Sequence, residues 1–228
     1  MRYTYKYPHP AVTADAVVIG FGGGELSVLL IQRRAAPYKS YWAFPGGFVE
    51  IDEDPGVAVQ RELQEETGIT GIGFEQLGAF GAPHRDPRER VISVAYLGLT
   101  NIANHVAREA DDAKAVAWFP VRKLPRLAFD HRDILRSALL RLRIKARFEP
   151  IGLRLLPALF SWAEIQALYD AILGRTLDTA TFRRKLLRTG VVVAARSART
   201  RPTERSGRLY RFDRRACRRA TLAGFVLV

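Results

Sequence analysis

The sequence predicts an α/β sandwich followed by a small helix–turn–helix domain with a β-ribbon, and three observations lead there. Between Ala11 and Leu99, apolar β-branched runs surround one helix with clear start and stop residues. Beyond Pro157 the order becomes helix, tight turn, helix and two short strands. The charge also divides: residues 1–145 carry 19 Lys+Arg against 17 Asp+Glu, whereas residues 146–228 carry 17 against 6.

In the first region, "AVTADAVVIGF" and "LSVLLIQR" read as strands separated by the turn-forming "GGGE". "VISVAYLGL" and "KAVAWFPV" read as further strands. The helix between them has Asp54 as N-cap, Pro55 in its first turn and Gly68 past its end. Asp130 opens a second helix, "DHRDILRSALLRLRIKAR", with Ile134, Leu135, Ala138, Leu139 and Leu142 on one face. "PIGLRLLP", bracketed by Pro150 and Pro157, is expected to be a non-helical connector. The domains are accordingly placed at 1–147 and 148–228.

In the second region, Ser161 and Glu164 match a capping box for "FSWAEIQALYDAILG". Ile165, Leu168, Tyr169 and Ile172 form its apolar stripe, and Gly174 ends it. Asp178 then caps "TATFRRKLLRTG", which Gly190 ends. "VVVAA" and "RLYRFD" follow as strands joined by an arginine-rich loop. This is the order of a winged helix-turn-helix.

The chain has 228 residues and a net charge of +13, with 48% hydrophobic residues, enough for a real core. It contains no apolar run near the ~18 residues of a membrane span and no signal-peptide pattern. The single Cys217 excludes an internal disulfide framework and fits a reducing cytoplasm. The basic second region points to a polyanionic partner.

Against that charge, "GGFVEIDEDPGVAVQRELQEETGI" from Gly46 to Ile69 holds five glutamates and two aspartates. Glu62, Glu65 and Glu66 fall on or near one helical face by their spacing. Adjacent carboxylates repel unless a cation sits among them, and hard oxygen donors suit Mg²⁺ or Mn²⁺, which bridges phosphate oxygens. Such a metal can polarise a phosphoryl group and activate water. Gly46 and Gly47 allow tight backbone turns near it. Arg61 can pair with Glu53 and fix the loop against the helix.

From Gly47 this stretch resembles the Nudix box: glycine, five residues, Glu53, seven residues, Arg61-Glu62-Leu63, one residue, Glu65-Glu66, one residue, Gly68-Ile69. The resemblance implies a Nudix α/β/α sandwich, recognition of a nucleoside diphosphate linked to another group, and Glu62, Glu65 and Glu66 as metal ligands. "YWAFPGGFVE", "RDPRERVISVAYL", "WFPV" and "LAFDHRDIL" are similar to Nudix domains close to ADP-ribose pyrophosphatases. "FSWAEIQALYDAILGRTLDTATFRRKLL" and "GRLYRFD" resemble the C-terminal domain of the Nudix-related transcriptional regulators, NrtR. That family pairs an ADP-ribose-binding Nudix domain with a DNA-binding winged helix. Relatives carry an acid shortly before the "WFP" tryptophan where this chain has Lys114 and Ala115; Glu109, Asp111 and Asp112 lie upstream.

Other candidates follow from residue chemistry. Arg85 and Arg88, in a loop before a strand with His84 and Arg90, are candidates for pyrophosphate or ribose contact, since guanidinium forks match phosphate oxygens. Trp42, Phe44 and Trp118 are read as core, and Cys217 as inert. On the second helix of the C-terminal unit, Phe182 and Leu186 form the buried face. Thr181, Arg184, Lys185 and Arg188 fit the other face and are expected to reach base edges of double-stranded DNA, with Arg196, Arg199, Arg201 and Arg205 of the wing expected to reach phosphates. Two functions remain open: a cytoplasmic ligand-controlled repressor, expected as a homodimer on DNA and linked by the resemblance to NAD metabolism, and a Mg²⁺-dependent hydrolase with an appended basic domain.

Overall fold

Strands form where the β-branched runs lie. The structure, a computed structural model, describes residues 5–105, 115–195 and 208–222. β1 (Ala11–Gly22) and β2 (Glu25–Gln32) are joined at Gly23 and Gly24, both at positive φ, which glycine adopts without steric cost. β3 (Trp42–Ala43) pairs with β2, and β4 (Gly46–Phe48) pairs with β1. Then come α1 (Pro55–Thr67), β5 (Phe74–Phe80), β6 (Val91–Asn101), a 3-10 turn at Ile102–Asn104, and β7 (Val116–Pro120). The sheet runs β3-β2-β1-β6-β5, with β4 added on β1 and β7 on β2. The α1 residues Ala58, Val59 and Leu63 pack with Ala14, Ala16 and Val18 of β1 in one buried cluster. The alternate β1 positions Asp15, Val17 and Ile19 are buried as well.

The chain divides into two compact units. One comprises Met1–Ile19, Ser27–Leu99 and His105–Ala138; the other comprises Gly20–Leu26, Thr100–Asn104 and Leu139–Val228. α2 (His131–Phe148) follows β7 in the chain.

The second unit holds α3 (Gly152–Leu155), β8 (Phe160–Ser161), α4 (Trp162–Leu173), α5 (Thr179–Arg188), β9 (Val192–Ala194), β10 (Leu209–Phe212) and α6 (Arg214–Leu222). The strands form an antiparallel sheet in the order β8-β10-β9. Both sides of the expected capping box are made at Ser161, and Gly174 takes the left-handed conformation at the end of α4. Asp178 accepts the Thr181 N–H and caps α5. Ile165, Leu168, Tyr169, Phe182, Leu186 and Tyr210 are buried together with Cys217.

The expected non-helical connector instead contains α3. A proline removes only its own N–H and constrains the residue before it, so the six residues between Pro150 and Pro157 accommodate one turn, closed by Leu156 N–H to Gly152 O at 2.9 Å. A Cβ on Gly152 would meet the Phe212 ring at 2.7 Å. Among the described residues, no helix is long and apolar enough to cross a membrane.

Candidate functional site

The acidic box begins with a well-formed helix. The Asp54 side chain accepts the Gly56 N–H at 2.7 Å, Pro55 occupies the first turn, and Gly68 closes α1 at φ 68°. Arg61, on α1, donates to both oxygens of Glu53 at 2.8 and 2.9 Å and to the Phe48 carbonyl at 3.2 Å. It thereby ties the loop to the helix, as its position before Glu62 predicts. Its hydrogen bonds hold the Glu53 carboxyl below the usual range.

The same guanidinium also reaches Glu62 at 2.7 Å and Glu65 at 3.1 Å through Nη1. Glu66 turns elsewhere and accepts the Gly46 N–H at 2.8 Å. Burial pushes its carboxyl up to about 8, opposed by that hydrogen bond and reinforced by Glu62. Burial also raises Glu62. The three glutamates therefore share the predicted side of α1 without converging on one point. Among the described residues, no three acidic, histidine or cysteine side chains gather as a metal cluster. The donor chemistry still fits a hard divalent cation: every donor is a carboxylate oxygen, and the desolvated Glu66 is in no close ion pair among the described residues. A Cβ at Gly47 would meet the Glu62 carboxylate, so any larger residue there would displace that side chain.

β4 carries this box to the sheet. Its register places Asp15 opposite Gly46 and Ala14 opposite Gly47, and a Cβ on Gly46 would approach Asp15 Oδ1 to 2.7 Å. A cavity opens here, bounded by Asp15, Gly46, Glu66, Arg85, Phe129 and His131 among others. Asp15 accepts the Ser93 hydroxyl and lies 3.9 Å from Arg85 Nη2 and 4.0 Å from His131 Nε2. Burial raises its pKa to about 6, with Ser93 and Arg85 opposing. His131 stacks on Phe44 at 4.7 Å and 9°, and its Nδ1 accepts the Phe44 N–H at 3.0 Å. Burial, then Arg85, depresses its pKa to about 3, so the imidazole is neutral. Arg85 makes a two-pronged pair with Asp130, at 3.0 and 2.6 Å.

Arg33 and Arg88 occupy the remaining wall. Arg88 pairs with Asp86 through Nε and Nη2 at 3.0 and 2.7 Å, which lowers the Asp86 carboxyl. Arg33 lies over the Phe129 ring at 4.8 Å and donates from Nε to the Pro37 carbonyl at 2.9 Å. Among the described residues it has no ion pair. Burial, then repulsion from Arg88, lowers its pKa, opposed by the carboxylates of Asp86, Glu66 and Asp15.

In the second unit, α5 presents Thr181, Arg184, Lys185 and Arg188 on one face by their spacing, with the last three exposed. None of the three basic residues is in an ion pair with a described residue. Arg183, one position away and also exposed, is engaged within the unit: it donates to the Tyr210 hydroxyl at 2.7 Å and lies over the Trp162 ring at 5.3 Å. β9 and β10 pair as the expected ribbon, with Tyr210 opposite Ala194 and Phe212 opposite Val192. Arg196, Arg199, Arg201 and Arg205, like Glu109, Asp111 and Asp112, lie outside the described residues.

The structure thus brings Glu66, Gly46, Gly47, Arg85 and Arg88 to one cavity, and Arg61, Glu53, Glu62 and Glu65 to one ion-pair network. Trp42 packs edge-on to Phe119 and Phe44 is buried, in keeping with their core assignment. Sequence reasoning missed Asp15, Arg33, Asp130 and His131. The isolated acid in the apolar run "VTADAVV" was the one available signal for Asp15, since a lone carboxylate in a buried strand needs a partner.

Comparison with known proteins places these features. The NUDIX domain family matches residues 9–138, and the NrtR DNA-binding winged helix domain family matches residues 152–212. The chain is similar to the ADPR responsive transcriptional repressor NtrR of Acinetobacter baylyi, 36% identical over 90% of this chain and 83% of that protein. It is also similar to an ADP-ribose pyrophosphatase of Methanocaldococcus jannaschii, 39% identical over 58% of this chain and 74% of the other. Shewanella oneidensis NrtR complexed with a 27mer DNA superposes with TM-score 0.71 and 29% identity, covering 91% of this chain and 95% of that one. The NUDIX domain of the same protein complexed with ADP ribose gives TM-score 0.57 and 32% identity, covering 61% and 94%.

Proposed function

We infer the function from family membership: the chain belongs to the Nudix-related transcriptional regulators, a NUDIX domain followed by an NrtR winged-helix DNA-binding domain. It is a transcriptional repressor whose Nudix domain binds ADP-ribose or a related nucleoside diphosphate and whose winged helix binds double-stranded DNA. One observation carries this reading: the exposed basic face of α5, in no ion pair with a described residue, stands in the same chain as an arginine-lined cavity. The chain acts in the cytoplasm, as a homodimer on two half-sites about one helical turn apart, at genes of NAD metabolism. The segment 148–228 is its DNA-binding domain, and the wing residues Arg199 and Arg201 contact phosphates.

Within the cavity, Arg33 takes the diphosphate. Its Nε is committed to Pro37, leaving the Nη edge of the fork for phosphate oxygens. Arg85 and Arg88 are neutralised by Asp130 and Asp86 and hold the wall in shape. Nudix hydrolases generally use divalent ions. Here Glu62, Glu65 and Glu66 would hold Mg²⁺ or Mn²⁺, which when bound supplies Lewis-acid polarisation of a phosphoryl oxygen. Substituting both Glu65→Gln and Glu66→Gln is expected to abolish divalent-ion binding in calorimetry, and unchanged affinity would move the metal elsewhere.

A ligand changes DNA affinity only by binding the DNA-free and DNA-bound states unequally. The test is selection of operator fragments from genomic DNA with and without ADP-ribose. ADP-ribose is expected to weaken operator binding by about 5–150-fold, the usual coupling range. The second reading, an active ADP-ribose pyrophosphatase, is favoured by the intact run of Glu62, Glu65 and Glu66. Turnover of about 1–10³ s⁻¹ with no selected operator would establish it instead.

A further inference from the structure

The floor of the cavity contains a donor and an acceptor that are too far apart to satisfy each other. Nδ1 of His131 accepts the Phe44 N–H at 3.0 Å, so in the neutral ring Nε2 carries the hydrogen. That Nε2–H faces Asp15 Oδ1 across 4.0 Å, beyond hydrogen-bond reach. Both groups are clamped. The His131 ring lies flat against Phe44, and Asp15 Oδ2 takes the Ser93 hydroxyl beside Arg85. Oδ1 accepts no hydrogen bond from a described residue. Both side chains are more than nine-tenths buried, yet both border the cavity.

A single oxygen about 2.8 Å from each atom bridges such a gap with an angle of about 90° at that oxygen. It must accept from Nε2–H and donate to a carboxylate. An ionised phosphate oxygen cannot donate, and the Asp15 charge repels it. An ammonium cannot accept. A hydroxyl does both. Resting on the reading of the cavity as an ADP-ribose site, we propose that His131 and Asp15 form a hydroxyl-recognition subsite that fixes one ribose hydroxyl of the ligand, with His131 Nε2–H as donor and Asp15 Oδ1 as acceptor. Arg85 and Ser93 are its positioning residues. The subsite divides labour with Arg33: the cation reads the diphosphate, and the neutral donor with its carboxylate reads the sugar.

The experiment is a calorimetric titration of the full chain with ADP-ribose and with analogues that each lack one ribose hydroxyl. The native protein is expected to lose about 10–100-fold in affinity for one analogue, the scale of an unsatisfied buried donor and acceptor. His131→Asn removes Nε2 while its amide oxygen can still accept the Phe44 N–H. This variant is expected to bind ADP-ribose more weakly by the same factor and to be indifferent to loss of that hydroxyl, as a thermodynamic cycle requires of two groups in contact. Thermal melting checks that the variant folds; if it does not, the analogue series on the native chain decides alone. Native binding of every analogue within about twofold of ADP-ribose would mean that only an ordered water bridges the pair and would overturn the subsite. So would a folded variant that binds ADP-ribose like the native chain. A native chain that binds no ADP-ribose overturns the proposed function and the subsite together, whereas one that binds ADP-ribose and every analogue alike overturns the subsite alone.

Discussion

The two units put arginine to opposite uses. In the first, the arginines around the acidic box and the cavity are mostly committed: Arg61 to Glu53, Glu62 and Glu65, Arg85 to Asp130, and Arg88 to Asp86. In the second, Arg184, Lys185 and Arg188 of α5 stand exposed, and none is in an ion pair with a described residue. A paired, buried guanidinium is a structural strut. A solvated, unpaired one retains its charge for a partner. The contrast teaches that a count of basic residues does not locate an anion site; the local acid count does. Arg33 makes the point within the first unit, being the cavity arginine without an ion pair among the described residues.

The largest expected effect tests the strut. Arg85 has a side chain only 3% exposed, and Arg85→Ala would leave Asp130 and Asp15 without their cation. Removing one member of a buried pair costs about 3–5 kcal/mol, to be read as a fall in unfolding free energy in urea. If Arg85→Ala unfolds like the native chain and loses only ligand affinity, Arg85 is a ligand contact and the contrast fails inside the cavity.

Arg33→Ala is the counterpart. It should leave the urea midpoint nearly unchanged while weakening ADP-ribose by about 1.5–3 kcal/mol, the range for hydrogen bonds to charged groups. Adenosine, which lacks phosphate, should bind the variant and native chains alike. An equal loss for adenosine would show that Arg33 acts through Phe129 packing rather than through charge.

Arg184→Ala sharpens the second side. Calorimetric stability should move by less than about 0.5 kcal/mol, as for an ordinary surface substitution. Affinity for the selected operator should fall by about 1–3 kcal/mol with relaxed preference at one base position. Equal losses on operator and random duplex would reassign Arg184 from base reading to phosphate contact.

Much of this architecture was legible in local sequence because its signals are local. The caps at Asp54, Ser161 and Asp178 and the helix-ending glycines at 68 and 174 each depend on a few neighbouring residues. The carboxylate spacing of the Nudix box and the Arg61–Glu53 pair are short-range too. Weak periodicity hid other elements. β5, "FEQLGAF", contains a glycine and an irregular register between Gln76 and Gly78. β3, β4 and β8 are two or three residues long. α6 is so rich in arginine that its cap went unread, although the Asp213 side chain accepts the Ala216 N–H at 2.8 Å.

By itself, then, the sequence determined two domains, the acidic helix, the two capped helices of the winged-helix domain and the family they imply, because helical period, capping chemistry and motif spacing act within a few turns of chain. Only the tertiary structure decided which charges are spent. Arg85 meets Asp130 across 45 residues, Ser93 meets Asp15 across 78, and Phe44 fixes the His131 tautomer across 87. No local pattern encodes such pairings, since they exist only when β1, β6 and the start of α2 are brought together. Burial then sets their chemistry: it raises Asp15 and Glu66, keeps His131 neutral, and lowers Arg33.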